Sequence, residues 1–220
     1  DNTVVYDKYG NKSNIDGNIH FKKLKSLSYD FKVNANEFLT LNTSGADNST
    51  YYGDGFASGL VNIQGNMEEK NLVIDASVST EENTIINLPI GSSGETQTTQ
   101  FITFKGADTI KKEEFRELAT DLSGIDLNFD LEVTPLAETR LIFDPALGDM
   151  IKARGRGNLN MKVDQNGECR IHGDYIIDEG DYMFSLKNVI NKKFQIQQGS
   201  QIIWNGKPQD ADIDVTAIYS

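Results

Sequence analysis

Residues 167–217 read G-E-C-R-I-H-G-D-Y-I-I-D-E-G-D-Y-M-F-S-L-K-N-V-I-N-K-K-F-Q-I-Q-Q-G-S-Q-I-I-W-N-G-K-P-Q-D-A-D-I-D-V-T-A. Gly173, Gly180, Gly199 and the Asn205-Gly206-Lys207-Pro208 run punctuate the stretch. They divide it into about four or five short strands joined by turns. Between the breaks the residues alternate. Tyr182, Phe184 and Leu186 point one way, and Asp181, Met183 and Ser185 the other. Ile213, Val215 and Ala217 alternate in the same manner with Asp212, Asp214 and Thr216. A period of two gives a sheet with one apolar face and one wet face.

Upstream of this stretch the same period recurs. Ile125, Leu127, Phe129, Leu131 and Val133 alternate with Asp126, Asn128, Asp130 and Glu132, until Pro135 ends the run. Residues 139–143, 150–156 and 159–163 read as further strands, with a hairpin turn at 164–167, where Asn-Gly suits positive φ. Residues 56–64 and 72–78 form the clearest hairpin, with Leu72, Ile74, Ala76 and Val78 on one side. Shorter strands are expected at 15–21, 29–33, 38–41, 84–90 and 101–105. Residues 1–14 read as a strand end or a loose terminus, and 43–54 as a loop. The polar run 91–100 has too little apolar content to pack. Residues 109–122 carry Phe115, Leu118 and Leu122 at helical spacing, and make the one credible helix. The sum is about 13 to 15 strands and at most one short helix. A meander of hairpins implies a long antiparallel sheet. The whole chain, 1–220, is expected to be a single all-β domain with a loop and helix insert at 91–124.

The bulk composition excludes several classes of function. A net charge of −12 opposes nucleic-acid binding, which needs a Lys/Arg face. Lys22-Lys23-Lys25 and Lys192-Lys193 are short clusters, expected to blunt sheet edges. One cysteine, Cys169, rules out an internal disulfide and falls in step with Ile171 on an apolar face. His172 and Asp174 share a strand face, but no motif supplies a nucleophile. Asp178-Glu179-Gly180-Asp181 and the acidic run 210–214 lack calcium-loop spacing. Arg154-Gly155-Arg156-Gly157 lacks a nucleotide-loop context, and its glycines point to a bulge or close sheet packing. No catalytic residue, no metal site and no cofactor is expected. No apolar run is long enough for a membrane-spanning helix. A start on Asp1 and a stop on Ser220 suggest a fragment of a larger chain.

The series G-D-Y-x-I-x-x-G-D-Y-x-F, followed by I-N-K-K-F-x-I-x-x-G-S-x-I-x-W-N-G-x-P-x-D-A-x-I-D-V-x-A-x-Y, resembles the C-terminal domain of the TamB family. These are large envelope proteins of Gram-negative bacteria related to the AsmA-like bridge proteins. The match is tight over 144–219, so residues 125–220 hold the best-matching part. It is looser at Y-Y-G-D-G-F-A-S-G-L-V-N-I-Q-G, residues 51–65.

The resemblance implies a sheet curled into a half-open β-taco with an apolar interior. It implies a groove that shields phospholipid acyl chains between the inner and outer membranes. The residues expected to line it are Leu127, Phe129, Leu131, Leu141, Phe143, Leu159, Met161, Val163, Tyr182, Phe184 and Leu186. The same residues would also serve as the core of a closed sandwich, and their positions in sequence do not separate the two. A second reading implied by the family is a module that docks an Omp85-class outer-membrane barrel, TamA-like, by an exposed edge strand. The implied location is the periplasm, with the full-length protein anchored in the inner membrane by an N-terminal helix absent from these 220 residues. A carbohydrate-binding sandwich would need a cluster of exposed aromatic rings, and the single Trp204 sits inside the family motif.

Overall fold

The computed structural model describes residues 3–22, 26–47, 51–68, 71–89, 125–144, 147–166, 168–186 and 190–219. Its strands are β1 (Thr3–Tyr6), β2 (Lys12–Lys22), β3 (Ser26–Thr43), β4 (Tyr52–Asn66), β5 (Asn71–Thr80), β6 (Ile85–Pro89) and β7 (Ile125–Val133). They continue with β8 (Glu138–Asp144), β9 (Asp149–Val163), β10 (Cys169–Leu186), β11 (Ile190–Ile196), β12 (Gln201–Gly206), β13 (Asp212–Asp214) and β14 (Ala217–Tyr219). All belong to one 14-stranded sheet, whose main path runs β1-β2-β3-β4-β5-β7-β9-β10-β11-β14. Among the described residues the helical content is one 3-10 turn, Pro208–Asp210. The expected loop at 91–100, strand at 101–105 and helix at 109–122 lie outside the described residues, as do Lys23 and Lys25.

Three expectations need correction. The sheet is not antiparallel throughout, because β5 pairs parallel with β7 and β6 with β8. Residues 90–124 separate these pairs in sequence, which is length enough for the crossover that a parallel pair demands. Next, the strands read at 29–33 and 38–41 are one strand, β3, bent between Ala35 and Phe38. Finally, of the two readings of residues 1–14, a strand end or a loose terminus, the second gives way, since they form β1 and the start of β2. Asp7 holds their turn together: its Oδ1 accepts the amides of Tyr9 at 2.8 Å and Asn11 at 2.9 Å.

The strands share one irregularity at one level. Pairing of β4 with β5 stops at Ala57–Thr80 and resumes with β6 at Asp54–Ile85. Gly55 and Phe56 thus face the longer segment Glu81 to Thr84. β5 and β6 are one long strand with a kink. The same holds for β7 and β8 beside β9, where Thr134 to Ala137 bulge between the Val133–Gly157 and Glu138–Arg154 pairs. It holds again for β11 and β12 beside β10, and for β13 and β14 beside them. β10 has its own bulge between Ile177 and Glu179. The kinks line up into a crease across the sheet. Left-handed backbone falls on this line at Glu37 (φ 50°), Asn83 (φ 65°) and Gly199 (φ 87°).

Small hydroxyl side chains replace the ladder bonds that the crease removes. Thr134 N donates to Thr80 Oγ1 at 2.8 Å, and Thr134 Oγ1 donates to the Thr80 carbonyl at 2.8 Å. Thr84 Oγ1 accepts from Phe56 N and donates to Phe56 O, both at 3.0 Å. Ser200 Oγ accepts from Thr216 N at 3.2 Å and donates to the Gln197 carbonyl at 2.8 Å. Thr80, Thr84 and Ser200 are buried, so an unmet backbone group there would cost about 1–3 kcal/mol.

The crease divides the sheet into two arms. The first arm holds β1, β2, β5, β7, β12 and β13, with the matching parts of β3, β4, β9 and β10. The second holds β6, β8, β11 and β14, with the remaining parts of β3, β4, β9 and β10. Both arms feed one buried cluster: Val133, Tyr175, Ile202 and Trp204 come from the first, and Leu141, Ile151, Ala153 and Ile196 from the second. Ile177 and Ile202 are 0 % exposed and Leu141 1 %. Among the described residues there is no second layer to cover them. The sheet covers them by folding along its crease, apolar face inward.

Candidate functional site: an apolar trough

The inner face is continuous from the N-terminal strands to the C-terminal ones. Cross-strand pairing links Thr3, Ile15, Val33, Val61, Ala76, Phe129, Met161 and Ile171 in turn. At ~4.8 Å per strand this row runs for about 34 Å. A second row, nearer the crease, links Ser13, Val5, and then Ala35, Gly59, Val78, Leu131, Leu159, Gly173 and Trp204. A third, farther out, links Gly17, Phe31, Ile63, Ile74, Leu127, Val163 and Cys169.

The floor is lined with small side chains. Ala57, Ala137 and Ala153 are buried there, and Gly155 completes it. A Cβ on Gly155 would lie 3.0 Å from the Tyr175 ring, so the expected close packing at the Arg-Gly-Arg-Gly run is present. Arg154 and Arg156 themselves face outward, onto the Leu136 carbonyl at 2.6 Å and the Asp178 carboxylate at 3.1 Å.

Burial differs along the trough. In the N-terminal strands the buried apolar residues are small or lie close to the crease: Ala35, Ala57, Ala76 and Val78. The larger ones on the same face, Phe31, Val33, Val61, Ile63, Leu72 and Ile74, stay half-exposed. Ile19 and Phe21, on β2, are 52 % and 70 % exposed. In the C-terminal strands the trough is filled. Tyr175 is 2 % and Trp204 7 % exposed, and Trp204 Nε1 donates to the Pro208 carbonyl at 3.3 Å. Burial pushes the Tyr175 phenol up to about 12. The Cys169 thiol is also raised by burial, as its expected place on the apolar face requires.

The residues expected to line the groove fall on this one face. Leu127, Phe129, Leu131, Leu159, Met161 and Val163 belong to the first arm, and Leu141, Phe143, Tyr182 and Phe184 to the second. Leu141 and Val163 are buried, whereas the others are half-buried. Leu186 lies in β10, but its side chain is outside the described residues. The N-terminal members Val33, Val61, Ile63 and Ile74 were not in the expected set, although the alternation at 72–78 already puts Ile74 on one side of its strand.

His172 and Asp174 are exposed on the outer, polar face. Lys193 ion-pairs with Asp181 at 2.9 Å, but Lys192 does more than blunt an edge, since its ammonium lies over the Tyr219 ring. Among the described residues, no group of three or more His, Cys, Asp or Glu side chains could hold a metal ion. No helix among them is long and apolar enough to cross a membrane.

A creased sheet with its apolar face turned inward is the arrangement implied by the C-terminal repeat of Gly-Asp-Tyr and Trp-Asn-Gly signatures. The model of the TamB C-terminal domain family matches residues 4–220. The chain belongs to the TamB C-terminal domain family. TamB proteins are bacterial envelope proteins of the outer-membrane assembly and lipid-transport system, a family of transport and assembly rather than of enzymes. Comparison with curated proteins and with solved structures gives no match.

Proposed function

We propose that this domain carries phospholipid acyl chains in its trough as lipid passes between the inner and outer membranes. The observation that supports it is the row from Ile15 through Val33, Val61, Phe129 and Met161, apolar across successive strands yet half-exposed. Each methylene moved from water into such a surface gains about 0.8 kcal/mol. From β2 to β9 this row spans about 24 Å at ~4.8 Å per strand, enough to lie along a single extended acyl chain. The domain acts in the periplasm, with the full-length protein anchored in the inner membrane by an N-terminal helix. It needs no cofactor and no catalytic group, since transfer breaks no bond.

A second reading is favoured by a different observation. β13 and β14 are short and exposed along their whole length, and β14 ends the strand order. Ile218 and Tyr219 are 54 % and 59 % exposed. Such an edge suits β-augmentation by an Omp85-class barrel, TamA-like. Native mass spectrometry of the purified chain separates the two readings. Co-purified phospholipid, or uptake of a fluorescent fatty-acid probe, is the expected result. Lipid-free protein that also fails to take up the probe overturns the conduit and leaves the docking role.

A further inference from the structure

The inner wall of the second arm climbs from the crease to a lip. Next to the crease stand Thr139 and Ala153. Above them Leu88, Leu141, Ile151, Tyr182, Phe194 and Tyr219 are cross-strand neighbours in turn. At the lip, Phe184 faces Lys192 across β10 and β11. Asp149 lies one step beyond the Met150–Met183 pair, and so stands beside Phe184 on its other flank. A carboxylate, an aromatic ring and an ammonium therefore follow one another on three adjacent strands, over about 10 Å at ~4.8 Å per strand.

The surroundings of the two charges differ. Asp149 Oδ1 is buried and has no hydrogen-bond partner, while the Tyr182 hydroxyl meets the same carboxylate. The nearby Asp144 is engaged in its own turn, accepting the Leu147 amide at 3.1 Å. Aromatic rings surround the Tyr182 that meets Asp149. Tyr182 is 6.0 Å from Phe143 and 6.1 Å from both Phe184 and Phe194, centre to centre. Lys192 Nζ donates to the Tyr219 hydroxyl at 3.0 Å and lies 5.0 Å from that ring's centre.

We propose that this lip row is a headgroup site for a zwitterionic phospholipid. Its amine meets Asp149 among the rings of Phe143, Tyr182 and Phe184, and its phosphate meets Lys192 and the Tyr219 hydroxyl. The site rests on the trough reading, since the acyl chains run from it down the apolar rows. An ammonium is held by ring faces together with a carboxylate, and a phosphate by an ammonium and a hydroxyl. A lipid without the amine leaves the Asp149 oxygen unmet, which selects against that lipid.

Vesicles holding equal amounts of phosphatidylethanolamine and phosphatidylglycerol, with identical acyl chains, test the site. The purified chain is incubated with them, and retained lipid is counted by native mass spectrometry. The expected enrichment of the amine lipid is about three- to five-fold, the ratio a half-exposed ion pair supports. Asp149→Asn brings the ratio to parity by lowering retention of the amine lipid, and Lys192→Gln lowers retention of both lipids. Both substitutions lie at the lip, and unchanged melting curves confirm intact folding. Parity in the unmodified chain, or enrichment that survives Asp149→Asn, overturns the headgroup site and leaves the trough. Retention of neither lipid overturns the trough, and the site with it.

Discussion

The N-terminal and C-terminal strands share one sheet, one crease and one inner face, yet they use that face differently. From β1 to β5 the large apolar side chains stand half-exposed, and the buried ones are Ala35, Ala57, Ala76 and Val78. From β8 to β12 the same face is packed shut near the crease around Leu141, Ile177, Ile202 and Trp204, while Phe143, Tyr182 and Phe184 stay half-buried toward the lip. Side-chain volume near the crease makes the difference. In the N-terminal strands alanines line the crease, whereas in the C-terminal strands a Trp, a Tyr and several Ile pack there. One backbone design thus carries half-exposed apolar residues at one end and a packed core at the other.

The comparison is broken most sharply by removing the filling. Trp204→Ala should lower stability by about 3–5 kcal/mol in urea melts. Val33→Ala, which truncates a half-exposed residue, should lower it by less than about 1.5 kcal/mol. Equal losses would mean that both ends are packed alike. Next comes the crease. Thr80→Val strips the acceptor from the Thr134 amide and should destabilise by about 1–3 kcal/mol, while a valine on an outward strand position should be neutral. A charge in the trough gives a smaller but more selective effect. Val61→Asp should reduce uptake of a fluorescent acyl probe by about tenfold, a loss of ~1.4 kcal/mol of binding. The melting point should move less than for Trp204→Ala.

The smallest expected effect is spectroscopic. Tyr175 ionises near 12 against 10.0 for a free phenol, because its burial disfavours the charged form. Its folded value is raised, so its contribution to stability is whole below pH 10 and is lost as pH rises from about 10 to 12. An absorbance titration should find one tyrosine in the sealed end ionising last, and Tyr175→Phe should remove that step. A titration that the substitution leaves unchanged would place the late step elsewhere.

Much of this molecule is legible in its sequence, because period two is a strong signal when one face is apolar. The alternation at 125–133 and 159–163 gave strands, face and groove candidates together. Leu127, Phe129, Leu131, Leu159 and Met161 do share one surface. Two things escaped. The crease is written in single residues, Thr80, Thr84, Thr134 and Ser200, whose hydroxyls bond across strands far apart in sequence. Local patterns carry no trace of such partners. The parallel pairing of β5 with β7 escaped for a related reason: hairpin logic follows neighbours along the chain, and these strands are joined through a long intervening segment. Trp204 and Lys192 were read as motif and edge residues, since their roles depend on which strands lie opposite.

A bend repeated at one level, from β3 to the C-terminal strands, builds the sheet as a profile. Its cross-section is set strand by strand, so one more kinked hairpin would lengthen the inner face without altering any existing packing. Such a domain can therefore grow by duplication alone, and can end wherever bulky residues are placed between the arms.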